Sequence, residues 1–254
     1  MLKNMYSFGI PELDEALGGG LEDGSVAILE DEMGVFSDIL LSYFIARGLR
    51  RGDDVIVLLT EHPIQYYINM INILGVRADV AMEVGKLVFI DAFLSPFTVG
   101  RSLHRTKFAI RNVGSLSDIR QTLQAAIQSL GETNRIRIVI DSLSQFLPPM
   151  TQSPQPAAIF LQQQHVERNE RGGVLLGLVH GDGHSLHIVR SIEYIADIVL
   201  RMRFSETDKN KKEIYLQVLK TNDPLLFEKL QHKMFICSYK QNRLLIHEKD
   251  KIVI

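Results

Sequence analysis

Short, nearly unbroken apolar runs alternate along most of the chain with longer segments in which apolar residues recur at helical spacing. Residues 25–29, 55–59, 86–91, 135–141 and 173–180 read as buried strands. Between them, residues 38–49 (stopping at Gly48 and Gly52), 64–74, 117–130 (capped by Ser115 or Ser117) and 156–169 read as helices. Strands that are apolar on both faces, separated by helix-length segments, predict a parallel sheet covered on both sides. The style changes after residue 195. Residues 195–204, 213–220, 234–240 and 243–247 read as strands joined by short turns, which predicts antiparallel strands extending the sheet. Loops are expected at 92–115, 181–187 and 205–212. Residues 1–254 read as one α/β domain.

Composition narrows the class. A chain of 254 residues suits one large domain. With 46% hydrophobic and 23% charged residues it is neither disordered, collagen-like nor a coiled coil. The net charge of −2 confines any nucleic-acid contact to a local patch. A single cysteine, Cys237, excludes a disulfide framework and a cysteine zinc site, and it reads as a core strand residue. No apolar run reaches the ~18 residues of a membrane span, and no signal-peptide pattern opens the chain. A soluble, cytoplasmic protein without membrane contact is expected.

The first buried strand, a turn containing glycine and the following helix stand where a phosphate-binding loop would lie. That chemistry needs G-x-x-x-x-G-K-[ST]: glycines to expose backbone N–H groups, lysine to reach phosphates, a hydroxyl to hold magnesium. The aligned residues are Asp31 at the first glycine, Phe36 at the second, Ser37 at the lysine and Asp38 at the hydroxyl; only Gly34 remains as a loop glycine. Glu30, Asp31, Glu32 and Asp38 add like charge near a polyanion. The expectation is a strand–turn–helix without a nucleotide: no cofactor, with at most weak ATP and magnesium binding. Asp38 is expected to serve as the anion at the helix N-terminus.

Several segments together resemble the RecA-like superfamily, in the branch of KaiC-type clock ATPases and archaeal recombinase paralogues. Phe8-Gly9-Ile10-Pro11-Glu12-Leu13-Asp14-Glu15-Ala16-Leu17-Gly18-Gly19-Gly20-Leu21 is similar to that branch's opening motif. Arg137-Ile138-Val139-Ile140-Asp141-Ser142-Leu143 resembles its Walker B strand, which makes Asp141 the magnesium-organising aspartate with Ser142 beside it. Glu61 matches the family's catalytic glutamate, and Val218-Leu219-Lys220-Thr221-Asn222 its closing hairpin. The resemblance implies a RecA-like P-loop NTPase fold over nearly the whole chain. Residues 24–44 further resemble the fourth subunit of the Elongator complex, and residues 74–76, 85–89 and 178–180 its sixth. Those subunits belong to a hexameric ring implicated in tRNA binding for wobble-uridine modification.

What this implies is a non-catalytic, ring-forming subunit: a homo-oligomer, most simply a hexamer, supporting tRNA and an RNA-modification enzyme. The alternatives are a KaiC-like ATPase or signalling protein with residual nucleotide binding, and a regulatory paralogue of an archaeal-type recombinase. The densest basic stretch holds Arg101, His104, Arg105, Lys107 and Arg111 without an acid among them, and these are the candidate RNA contacts. Asp141 and Glu61 could form an orphaned magnesium and water-activation pair, but Asp141 is expected merely to satisfy strand-end hydrogen bonds. His180, His184 and His187 with Asp182 are too irregularly spaced to suggest a metal site, and they read as a solvent-facing or ring-facing loop. No nucleophile elbow is present, which disfavours hydrolase chemistry.

Overall fold

The computed structural model describes residues 4–93, 107–110, 112, 115–131, 135–147, 155–205 and 213–249. Its first half runs β1 (Met5–Tyr6), α1 (Pro11–Ala16), β2 (Leu21–Glu22), β3 (Val26–Asp31), α2 (Ser37–Arg51), β4 (Asp54–Leu59), α3 (Ile64–Ile73), α4 (Ala78–Glu83), β5 (Leu87–Asp91) and β6 (Phe108–Ala109). The second half runs α5 (Leu116–Ser129), β7 (Ile136–Ile140), α6 (Gln155–Arg171), β8 (Val174–His180), α7 (Leu186–Ile195), β9 (Ile198–Phe204), β10 (Ile214–Lys220), α8 (Pro224–Leu230), β11 (Phe235–Lys240) and β12 (Arg243–Glu248).

The main sheet has 10 strands in the order β12-β11-β10-β9-β3-β8-β7-β4-β5-β6. From β9 to β6 every pairing is parallel, and β10, β11 and β12 add to the β9 edge antiparallel. This is the predicted α/β architecture with its C-terminal antiparallel strands. Alternate residues of the central strands enter two cores. Ala27, Leu29, Val55 and Val57 pack on one face with Leu41 and Phe44 of α2 and Tyr67 of α3. Val26, Ile28, Ile56 and Leu58 pack on the other with Ile119 of α5, Phe160 of α6 and Ile192 of α7.

The opening motif makes a small clasp on the first of these faces. Asp14 accepts hydrogen bonds from the Phe8 and Gly9 N–H groups at 2.6 and 2.8 Å. Gly20 has a φ of 124°, and a Cβ there would lie 2.3 Å from the Tyr6 carbonyl oxygen, so the β1–β2 contact admits no side chain at this position.

Three expectations need correction. Gly48 does not stop α2. The helix runs on to Arg51, and its C-cap is Gly52 in the left-handed region. Gly48 instead leaves room for Arg137, whose Cδ and Nε would meet a Cβ there at 2.5 Å. Arg137 is fully buried and donates to Asp53 (2.8 Å), the Ser7 carbonyl (2.7 Å) and the Phe44 carbonyl (3.1 Å). Second, residues 186–195 form a helix, not the end of a loop and the start of a strand; Ile188, Val189 and Ile192 turn one apolar face inward. Third, β3 continues through Glu30 and Asp31, which the sequence reading placed in the turn, because the neighbouring strands β8 and β9 pair with both residues. The short elements α1, α4, α8, β1, β2 and β6 carry too few residues for a periodic signal.

Candidate functional site

The C-terminal ends of β3, β4, β7 and β8 meet at one rim of the sheet, where open α/β sheets carry their ligand sites. A cleft of about 590 Å³ lies there, between the turn that includes Met33 and Gly34, the start of α2, Glu61–His62, and His180–Gly183.

Asp31 leaves the end of β3 and receives the Ser37 hydroxyl hydrogen bond from the first residue of α2. Its other oxygen lies 2.7 Å from His180 Nδ1, and His180 Nε2 lies 2.7 Å from Glu61 Oε2. One imidazole thus ties together the ends of β3 and β8 and the segment after β4. The Asp31 and Glu61 hydrogen bonds outweigh burial and push the His180 pKa up to about 10, so the ring is an imidazolium at neutral pH. Burial pushes Glu61 up, but the His180 hydrogen bond and charge, with hydrogen bonds from Ser142 and Gln145, together leave that carboxyl below its usual range.

Asp141 follows β7 and is fully buried. It accepts hydrogen bonds from the N–H groups of Thr60 (2.6 Å), Glu61 (3.2 Å) and His62 (3.0 Å), and from the Thr60 hydroxyl (2.7 Å). It thereby fastens the segment after β4 to the end of β7. Ser142, also buried, accepts from the Ser144 N–H at 3.2 Å. His62 stacks on Tyr66 at 4.4 Å, and its Nδ1 lies 3.6 Å from Asp141; that carboxylate raises the His62 pKa against burial. The Tyr66 hydroxyl donates to Asp38, whose own pKa is raised by burial, against the opposing pull of His62.

Of the remaining loop residues, Gly34 borders the cleft and Phe36 does not. Gly34 has a φ of 94°, and a Cβ there would lie 3.6 Å from the Phe204 ring. Phe36 turns away to pack on Tyr239, ring centroids 5.8 Å apart. Glu30 and Glu32, counted from sequence as charges facing a polyanion, are absent from the cleft. Strand alternation sends Glu30 to the opposite side, where Arg201 and Arg203 pair with it, and Glu32 accepts the Phe204 N–H.

His180 itself is a correction. It ends β8, as the strand reading of 173–180 expects, and it is bound to two carboxylates instead of facing solvent with His184 and His187. Asp182 accepts the Met33 N–H at 3.1 Å, and His187 is exposed. Among the described residues no group of His, Cys, Asp and Glu has the arrangement to hold a metal ion. His180, Tyr66 and Tyr67 were missed as site residues. The usable signal was the position of His180 at the end of a buried strand, since parallel strand ends converge. Of the basic stretch, Lys107 is exposed and sits 5.6 Å over the Phe108 ring; Arg101, His104, Arg105 and Arg111 lie outside the described residues. Among the described residues no helix is long and apolar enough to cross a membrane.

A family model described as ATPase: KaiC matches residues 6–223. A UPF0273 protein of Thermotoga maritima is 31% identical over 145 residues, 57% of this chain and 57% of its own length. UPF0273 proteins of Pyrococcus furiosus (32% over 137 residues, 54% of this chain and 53% of its own) and Pyrobaculum aerophilum (34% over 136 residues, 53% and 46%) are similar in the same way. The chain spans about half the length of these curated relatives. The crystal structure of a KaiC-like protein from Pyrococcus horikoshii superposes with a TM-score of 0.69 over 96% of this chain and 99% of its own, at 16% identity, a likeness of fold.

Proposed function

Because this chain belongs to the KaiC ATPase family, we propose that it is a member that works without nucleotide, a ring-forming scaffold whose phosphate loop is degenerate. The observation that carries this reading is the His180 bridge. In a working loop, a lysine brings positive charge to the phosphates and an unoccupied glutamate activates water. Here the cation is an imidazolium already neutralised by Asp31 and Glu61, each at 2.7 Å. Glu61, the residue matched to the catalytic glutamate, spends its carboxylate on that ring. Asp141, matched to the magnesium aspartate, spends its oxygens on N–H groups of residues 60–62. Binding Mg-ATP would have to break these contacts and bring a polyanion against Asp31 and Asp38.

Isothermal titration with Mg-ATP is the test. The expected result is no saturable binding below millimolar nucleotide. A micromolar dissociation constant, about −8 kcal/mol, would overturn the reading in favour of a KaiC-like ATPase or signalling protein. The finer assignment is support of tRNA binding or wobble-uridine modification in the manner of Elongator accessory subunits. It rests on the sequence resemblance and on the basic stretch from Arg101 to Arg111. Reversing charge at Arg101 and Arg105 is expected to weaken retardation of tRNA at ~50 mM salt without changing oligomer mass; failure of the wild-type protein to retard tRNA would remove the RNA role.

A further inference from the structure

The longest stretch of the chain without a Lys, Arg, Asp or Glu runs from Ser142 to Val166, although 23% of all residues are charged. Most of α6 lies within it. The inner side of that helix is ordinary: Ala157, Phe160 and Leu161 are buried against the sheet. The outer side is not. From Gln155 to Val166 the exposed residues are Gln155, Ile159, Gln162 and Val166 and no others. Steps of 4, 3 and 4 residues set these side chains in one stripe down the helix, and none of them is charged.

A surface helix turns charged and polar residues to water, whereas the core of a protein–protein contact is where charge is depleted. Ile159 is 44% exposed and Val166 is 55% exposed. Both are β-branched and they lie seven residues apart, the pattern that a seam between two helices takes at its a positions. The neutrality of the stripe selects its occupant. In a two-fold contact a surface meets its own copy, so a charge near the centre faces its like. The neighbouring helix α7 exposes Arg190 and would repel its own copy. The α6 stripe has no such charge.

We propose that this stripe is the seam of a two-fold contact between two copies of the chain, α6 of one packing antiparallel on α6 of the other. With the axis beside Gln162 and Gln163, Ile159 of each copy lies by Val166 of the other. The amides of Gln162 and Gln163 carry donors and acceptors alike, so across the axis they can satisfy one another. The same axis keeps the charged end of each helix outside the seam. Glu170 is exposed there and meets the first turn of the opposite α6, the positive end of that helix's dipole. The contact is separate from the cleft rim and stands whether or not the cleft takes nucleotide.

The test is a pair of measurements on the full chain at micromolar protein. Ile159→Lys combined with Val166→Lys sets like charges against each other across the axis, and the light-scattering mass is expected to fall twofold. Both positions are exposed and lysine is the better helix former, so the urea midpoint should hold. Should the lysines lower that midpoint, cross-linking decides alone. Gln162→Cys, beside the axis, is expected to join two chains through a short bismaleimide on a denaturing gel. The native Cys237 is buried and stays silent. Glu83→Cys, exposed on α4, should not join chains in this way. A wild-type protein at the mass of one chain, a stable double-lysine variant that keeps the wild-type mass, or a Gln162→Cys cross-link no stronger than that of Glu83→Cys overturns the proposal.

Discussion

His180 holds its proton because Asp31 and Glu61 flank it, and this makes the stability of the protein depend on pH in a defined direction. The ring has a pKa of about 10 in the folded chain against an ordinary value of 6.5. Its contribution is complete below pH 6.5, where the ring is charged in both states. It declines as pH rises toward 10, because the folded state alone holds the proton in that window. The expected outcome is a urea midpoint that falls between pH 7 and pH 10 in the wild-type protein and falls less in His180→Gln. A series of denaturation curves across that range checks it, and parallel pH profiles for the two proteins would remove the imidazolium from the account. Asp31, Glu61 and Asp141 were legible from order along the chain, since each ends or follows an apolar run. Their partners were not. Which carboxylate meets His180 depends on β3 lying beside β8, with the segment after β4 in reach. Which carboxylates leave the cleft depends on the strand continuing through Glu30, a boundary that a propensity reading of two acids assigns to a turn.

The long elements were legible because their apolar period is strong, and the antiparallel tail because its strands are short and turn-linked. What periodicity cannot see is a residue chosen for something across the core. Gly48 reads as a helix stop, since glycine disfavours helix interiors by ~1 kcal/mol relative to alanine. In the structure α2 passes straight through it, with Arg137 lying against its Cα side. Gly48→Ala should therefore destabilise the protein despite its better helix propensity. A new Cβ would sit 2.5 Å from Arg137 Cδ and Nε, and the guanidinium cannot withdraw without giving up Asp53 and two carbonyls. Overpacking of this kind costs ~1–3 kcal/mol. Chemical denaturation measures it, and a variant as stable as wild type would show that Arg137 has room to move. α7 was lost for the opposite reason. Its pattern is helical, but the glycines and histidines before it drew the loop boundary too far along the chain.

At the scale of the molecule, the cleft occupies one rim of the sheet and is bordered by apolar side chains that a lone domain would bury. Met33 is 82% exposed and Leu186, just beyond Gly183, is 66% exposed. We propose that these exposed apolar side chains beside a charged cleft take part in a contact with another macromolecule. A contact between this rim and a different surface of a second copy is heterologous, so it closes into a ring or runs on as a filament. On the proposed nucleotide-free reading, protein groups would supply the joint, and the cleft offers acids to a basic partner surface. We therefore expect a homo-oligomer, most simply a hexamer with six times the chain mass of 28.8 kDa. Met33→Asp should lower that mass, because it adds a like charge to the acidic rim and removes the most exposed apolar side chain there, while leaving the buried core untouched. Light scattering at micromolar protein reads both species. A wild-type protein that runs at the mass of one chain, or a Met33→Asp variant that keeps the full assembly, would place the joint elsewhere and leave the apolar rim for a different partner.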